Sequence, residues 1–159
     1  MTLYEIALPE PGKDGPQKSL KELVSSMEQF YAGMLSVGDG TPKNQNVFTL
    51  EIAVANRSDE FIFYCGVPDL KKNLFEKQIL SIFPDARVVE KKDAYNIFAD
   101  KGFSVASYAT QAKNPAFSLK TYDKFDYDPL NVLLNSFSKI KREGEGAAIQ
   151  LVFRPVGDL

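Results

Sequence analysis

The chain holds one cysteine and no histidine, and those two counts decide most of its side-chain chemistry. Cys65 has no imidazole in the sequence to take its proton, which excludes a Cys-His nucleophile. A lone thiol inside the apolar run from Phe61 to Val67 reads as a small buried hydrophobe. The usual structural zinc sets and an internal disulfide are excluded with it. Gly33 and Gly38 have the glycine spacing of a phosphate loop, but Asp39 and Gly40 follow where a lysine and a hydroxyl residue must reach the phosphates and Mg²⁺. Gly38 and Gly40 read instead as the end of a helix. Asp123, Asp126 and Asp128 share one loop without the residue order of a calcium loop, and Asp128 is placed to cap a helix. Asn56-Arg57-Ser58 is a formal glycosylation sequon on a turn, relevant only to an exported chain. No catalytic residue, cofactor-binding residue or metal ligand is assigned, and neither an enzyme nor a cofactor is expected.

One motif points to binding. Lys101 to Tyr108 loosely tracks the RNA-recognition octamer, in which strand aromatics stack on bases. Lys101, Phe103 and Tyr108 are its candidate nucleic-acid contacts. Against it, Val105 stands where the octamer has its central aromatic, and the octamer belongs on an earlier strand. Lys and Arg total 19 against 21 Asp and Glu, a net charge of −2, so the chain lacks the basic field of a phosphate-backbone binder. The run from Lys139 to Arg142 reads as a solvated helix end.

The elements that must position these residues follow from periodicity. Tyr4, Ile6 and Leu8 alternate with Glu5 and Ala7 as a half-buried strand, ended by Pro9 and a Pro/Gly-rich loop to Pro16. Ser19 and Glu22 stand at capping-box spacing. Leu20, Leu23, Val24, Met27, Phe30, Tyr31, Met34 and Leu35 then form one helical apolar stripe. Phe48 to Val54 and Phe61 to Val67 form a hairpin across the turn Asn56 to Asp59. Pro68 and Asp69 open a second helix carrying Leu70, Leu74, Phe75, Ile79 and Ile82, and Ala86 to Glu90 is strand-like. This order, β-α-β-β-α-β, predicts an α+β fold with a ferredoxin-like sheet. A further β-α-β unit is expected: strand Phe103 to Ala109, a helix after Pro129 with Leu130, Leu133, Leu134, Phe137 and Ile140, and strand Ala147 to Phe153. Lys139, Lys141 and Arg142 fall in the last turn of that helix. Ala53, Ala55, Ser104 and Ala106 are read as outward-facing small residues. The expected subdomains are 1–92, ferredoxin-like, and 93–159, packed on it.

Several stretches together resemble one family. They are Tyr4 to Pro9, Glu28 to Ala32, Phe48 to Ile52, Phe61 to Tyr64, Glu76 to Ile79, Phe83 to Asp85, Leu119 to Tyr122, Asp128 to Leu130, Glu145 to Gln150 and Arg154-Pro155, in that order. The pattern is similar to the region preceding the motor in bacterial conjugative-transfer and type IV secretion ATPases of the FtsK/HerA superfamily. The resemblance implies a hexameric machine at the cytoplasmic face of the membrane, moving DNA or protein. Its Walker motifs are missing from this sequence, so no ATPase residue carries over. What it implies is a non-catalytic assembly and docking domain whose partners are other subunits and membrane-embedded channel proteins, with a linker to the motor expected at Val156 to Leu159. A single-stranded nucleic-acid module is the alternative. With no run of about 18 apolar residues and no basic start followed by an apolar segment, a cytoplasmic chain is expected.

Overall fold

The computed structural model describes residues 1–8, 20–38, 47–92, 96–98, 101–114, 117–121, 124–126, 129–141 and 143–155. The Pro9 to Pro16 loop, the Ser19 cap, Asp39, Gly40, Asp123, Asp128, Arg142 and Val156 to Leu159 lie outside those residues. The fold is α+β. Strands β1 (Thr2–Ala7), β2 (Phe48–Val54), β3 (Phe61–Val67), β4 (Arg87–Lys91) and β5 (Ala147–Phe153) form one sheet in the order β4-β1-β3-β2-β5. The first four occupy the 4-1-3-2 order expected of a ferredoxin-like sheet, and β5 extends it beside β2. β1 runs antiparallel to both neighbours, with Tyr4 opposite Cys65 on β3 and Glu90 on β4. The helices are α1 (Leu20–Met34), α2 (Lys72–Ile82) and α3 (Pro129–Phe137).

The chain divides into two compact units. The first comprises Met1–Ala53, Phe61–Tyr95 and Ala148–Leu159. Its core is the apolar stripe of α1 and α2 set on one sheet face: Tyr4, Phe30, Met34, Val37, Phe48, Cys65, Val67, Phe75 and Ile79 are all buried. Aromatic rings dominate this core. Phe75 lies 4.9 Å from Tyr4 and 6.3 Å from Phe30, while Phe48 stacks on Phe153 of β5 at 4.9 Å. The buried Tyr4 hydroxyl donates to Glu76 Oε1 at 2.9 Å, as a buried phenol must. Burial first, and the Glu76 carboxylate second, hold that phenol well above its ordinary range. Three described residues of this unit's predicted stripes, Leu23, Leu35 and Leu70, are exposed. Leu70 sits in a 3₁₀ turn, Asp69–Lys71, and Leu35 in another, Leu35–Gly38; both are exposed. A 3₁₀ turn has three residues per turn instead of 3.6, so it rotates these side chains off the helical stripe and brings Val37 inward instead. Asp69 is held by the N-terminal end of the chain: its carboxylate accepts from the Thr2 hydroxyl at 2.7 Å, which lowers its pKa.

The second unit comprises Val54–Glu60 and Asn96–Ala147. Its best-defined feature is a knot of backbone around Asn56. The Asn56 amide donates to the Ile97 carbonyl at 2.8 Å, and Asn56 Oδ1 accepts from the Gly144 amide at 2.8 Å. The sequon asparagine therefore spends its side chain on the fold. Gly146 lies against this knot: a Cβ there would run into the Ile97 carbonyl and come within 3.2 Å of the Asn56 amide nitrogen. Backbone cannot swing aside as a side chain does, so Gly146→Ala is expected to cost about 1–3 kcal/mol as an overpacking substitution. A urea denaturation midpoint unchanged from the parent would overturn that reading.

Helix α3 ends at Phe137, earlier than the sequence predicts. Its closing bonds are short ones, from Lys139 N to Ser136 O and from Ile140 N to Phe137 O. The Ser136 and Ser138 hydroxyls also donate to the carbonyls of Val132 and Asn135, which is the competition with regular helix that serine introduces. Lys139 and Lys141 consequently lie beyond the helix. Phe137 is buried, whereas Leu130, Val132 and Leu133 are exposed.

Candidate interaction surface

The predicted strand from Phe103 to Ala109 is not a strand. Residues 103–111 belong to no helix, strand or turn, and every residue from 101 to 114 is exposed. Phe103, Val105 and Tyr108 are 107%, 95% and 94% exposed. Alternation alone predicts a half-buried strand, but a strand exists only where a neighbour completes its hydrogen bonds. Lys101 lies in the turn that precedes this segment. Phe103 and Tyr108 thus lie on one exposed irregular run, off the sheet altogether, with Lys101 in the turn before it.

The sheet face turned away from α1 and α2 mixes polar and apolar residues. Parity places Leu3, Glu5, Thr49, Glu51, Ile62, Tyr64, Val89, Lys91, Gln150 and Val152 on it. Lys91 bonds Glu5 at 2.7 Å, and Gln150 donates to Glu51 Oε2 at 2.8 Å. The Glu5 carboxylate, by its hydrogen bond and its charge, holds the Lys91 ammonium above its ordinary range. Burial and the nearby Glu5 carboxylate raise the Tyr64 phenol. Its single described aromatic, Tyr64, is buried, so this face offers no row of exposed rings for bases to stack on. Ala53, read as outward-facing, is fully buried.

The sheet edge is the second apolar surface. β5 contains no charge, and Ile149, Leu151 and Val152 are exposed by 37%, 55% and 63%. Natural edges are usually protected by charge, proline or a bulge. The sequence reading predicts this strand but not that it forms an edge, because an apolar run alone does not say which strands lie beside it. The available clue was its near-total lack of polar residues combined with its position after the four strands of a complete sheet.

Cys65 is buried, and burial alone pushes its thiol up to about 12. Asp126 is exposed, and among the described residues no three His, Cys, Asp or Glu side chains are grouped to hold a metal ion.

A family model described as a domain of unknown function, DUF8128, matches residues 8–158. The chain belongs to that family. No curated protein and no solved structure matches it. The matched span includes both the exposed segment around Phe103 and strand β5.

Proposed function

We propose that this chain is a non-catalytic assembly and docking domain of a conjugative-transfer or type IV secretion ATPase, contacting neighbouring subunits and the membrane-embedded channel. The observation that carries the contact role is the uncharged edge β5 with its exposed Ile149, Leu151 and Val152. An exposed, flat, apolar edge is a template for another chain. The assignment to a secretion ATPase rests on the ordered sequence resemblance, and placement at the inner face of the membrane follows from that assignment. Among the described residues no helix is long and apolar enough to cross a membrane, so on this reading membrane proximity comes through partners.

A second reading is favoured by one observation, the full exposure of Phe103 and Tyr108 between Lys101 and Lys113. Exposed aromatics beside cations are what single-stranded nucleic acid stacks on. Light scattering at rising protein concentration, with and without a single-stranded DNA oligonucleotide, separates the two. The assembly reading expects mass that rises with concentration and ignores the oligonucleotide. A monomer whose mass changes only with DNA, or ATP turnover by this chain, would overturn it.

A further inference from the structure

We infer that the exposed segment Phe103 to Ala109 of one copy adds as a sixth strand to the β5 edge of a second copy. The inference rests on the assembly reading and names the element that makes the contact.

Three properties of the two surfaces match. The first is length: β5 spans seven residues, Ala147–Phe153, and residues 103–111 supply a run at least as long that, among the described residues, pairs with no strand. Second is the distribution of apolar side chains over the two faces. Successive residues of an extended chain point to opposite sides, so Phe103 and Val105 share one face while Tyr108 takes the other. On β5, Ile149 and Leu151 share one face and Val152 takes the other, all exposed. A parallel strand with Phe103 opposite Ala147 therefore sets Val105 beside Ile149 on one face and Tyr108 beside Val152 on the other.

The third property is charge. No charged residue occurs between Gly102 and Ala112, nor between Gly146 and Phe153, so the pairing buries no ion. Lys101 lies two residues ahead of Phe103, and Glu145 two residues ahead of Ala147. A parallel pairing sets these opposite charges side by side and leaves Lys113 and Arg154 out of register with each other. Opposite charges across a strand pair are favourable, like charges unfavourable.

The area suffices for a stable contact. Aromatic side chains bury roughly 150–250 Å² each, so one added strand with two aromatics and a valine removes on the order of 800 Å² from the two partners. Reciprocal exchange doubles that to about 1,600 Å², the standard size of a specific interface. A head-to-tail ring of copies repeats the same contact once per subunit. Main-chain hydrogen bonds supply affinity in such strand addition, and alternate side chains supply register.

Proline tests the inference without unfolding the protein. Ala106→Pro removes a backbone donor from a segment that has no strand pairing to lose, so the folded chain keeps its thermal midpoint while the added strand cannot form a continuous ladder. Hydrogen–deuterium exchange and light scattering are run together on parent and variant over a concentration series. The expected result is that amides of 103–109 and of 147–153 gain protection together as mass rises, and that Ala106→Pro weakens association at least about tenfold. If mass rises while 103–109 stays unprotected and Ala106→Pro assembles like the parent, strand addition is wrong and the assembly reading stands. If 103–109 is protected in the monomer, the segment pairs within its own chain and the inference is overturned. A chain that stays monomeric with 103–109 unprotected overturns the inference and counts against subunit contact through this domain as well.

Discussion

Phe75→Ala is expected to lower the unfolding free energy by about 3–5 kcal/mol, the range for truncating a buried aromatic. Phe75 is completely buried on α2 and is the meeting point of both helices with the sheet: its ring touches Tyr4 of β1 and Phe30 of α1. Removing it deletes two aromatic pairs and leaves a void bordered by other rings, which are too rigid to collapse into it. The neighbouring Glu76 accepts the Tyr4 hydroxyl, so any shift of α2 that fills the void also stretches a buried hydrogen bond. Since whole domains are stable by only about 5–15 kcal/mol, a loss of this size removes a large part of the total. Urea denaturation followed by far-UV circular dichroism measures it. A loss below about 1 kcal/mol would mean that Phe75 is not packed as described. Leu70→Ala is the control: Leu70 is 73% exposed in the adjoining 3₁₀ turn, and substitutions of exposed residues stay within about 0.5 kcal/mol.

The contrast between Phe75 and Leu70 shows what periodicity can and cannot tell. Both residues belong to one predicted stripe after Pro68. The apolar spacing located α2 correctly, but not the switch from 3₁₀ to α at Lys72, which decides which side chains face inward. β1 and β2 were legible because each alternates, β3 as an apolar run and β4 as a short β-branched stretch, all four bounded by turn chemistry. Their order in the sheet is that of two split β-α-β units, in which β3 lies between β1 and β2 and β1 between β3 and β4. Phe103 to Ala109 alternates just as well, yet it is no strand, because pairing is a property of two segments and alternation a property of one. β5 is a strand over the predicted residues, but nothing in its apolar run tells that it lies at an edge with Leu151 and Val152 in solvent. Both departures concern the same missing quantity, the partner strand, which no single segment encodes.

Those departures also bear on function. Natural sequences are locally consistent, and the places where local signals disagree with the fold are where function or strain is expected. A strand-like segment without a sheet and an apolar edge without a neighbour are complementary disagreements in one chain. Polar side chains on the sheet face turned away from the helices, by contrast, are internally satisfied: Glu51 accepts from Gln150, Glu5 pairs with Lys91, and the Gly66 amide donates to Thr49 Oγ1. Side chains so paired with one another are poorly placed to hold a ligand.

Raising the pH is expected to destabilise the fold from about pH 9 upward, with Cys65 titrating first. The thiol is fully buried on β3, and burial raises it from an ordinary 9.0 to about 12. Its neutral form is the one the core accepts. The corresponding stability is complete below pH 9, where the unfolded chain also keeps its proton, and is lost progressively as pH rises from 9 to about 12, because only the unfolded thiol ionises across that window. One pKa unit corresponds to about 1.4 kcal/mol, so the loss is about 1.4 kcal/mol at pH 10 and about 4 kcal/mol over the whole window. Tyr4, Tyr31 and Tyr64 are raised as well, chiefly by burial, and add to the loss above their ordinary value of 10.0. Cys65→Ala separates the thiol from the phenols. That variant starts less stable at pH 7, having lost a buried atom, but its stability declines less between pH 9 and 10 than that of the parent. Equal slopes for parent and variant over that interval would mean that the thiol is not held neutral by the fold. The same burial predicts that a thiol-specific disulfide reagent at pH 8 modifies Cys65 only as fast as the protein opens, because attack requires the thiolate and an open path to the sulfur. Modification at the rate of a free thiol in the folded protein would overturn the placement of Cys65 in the core.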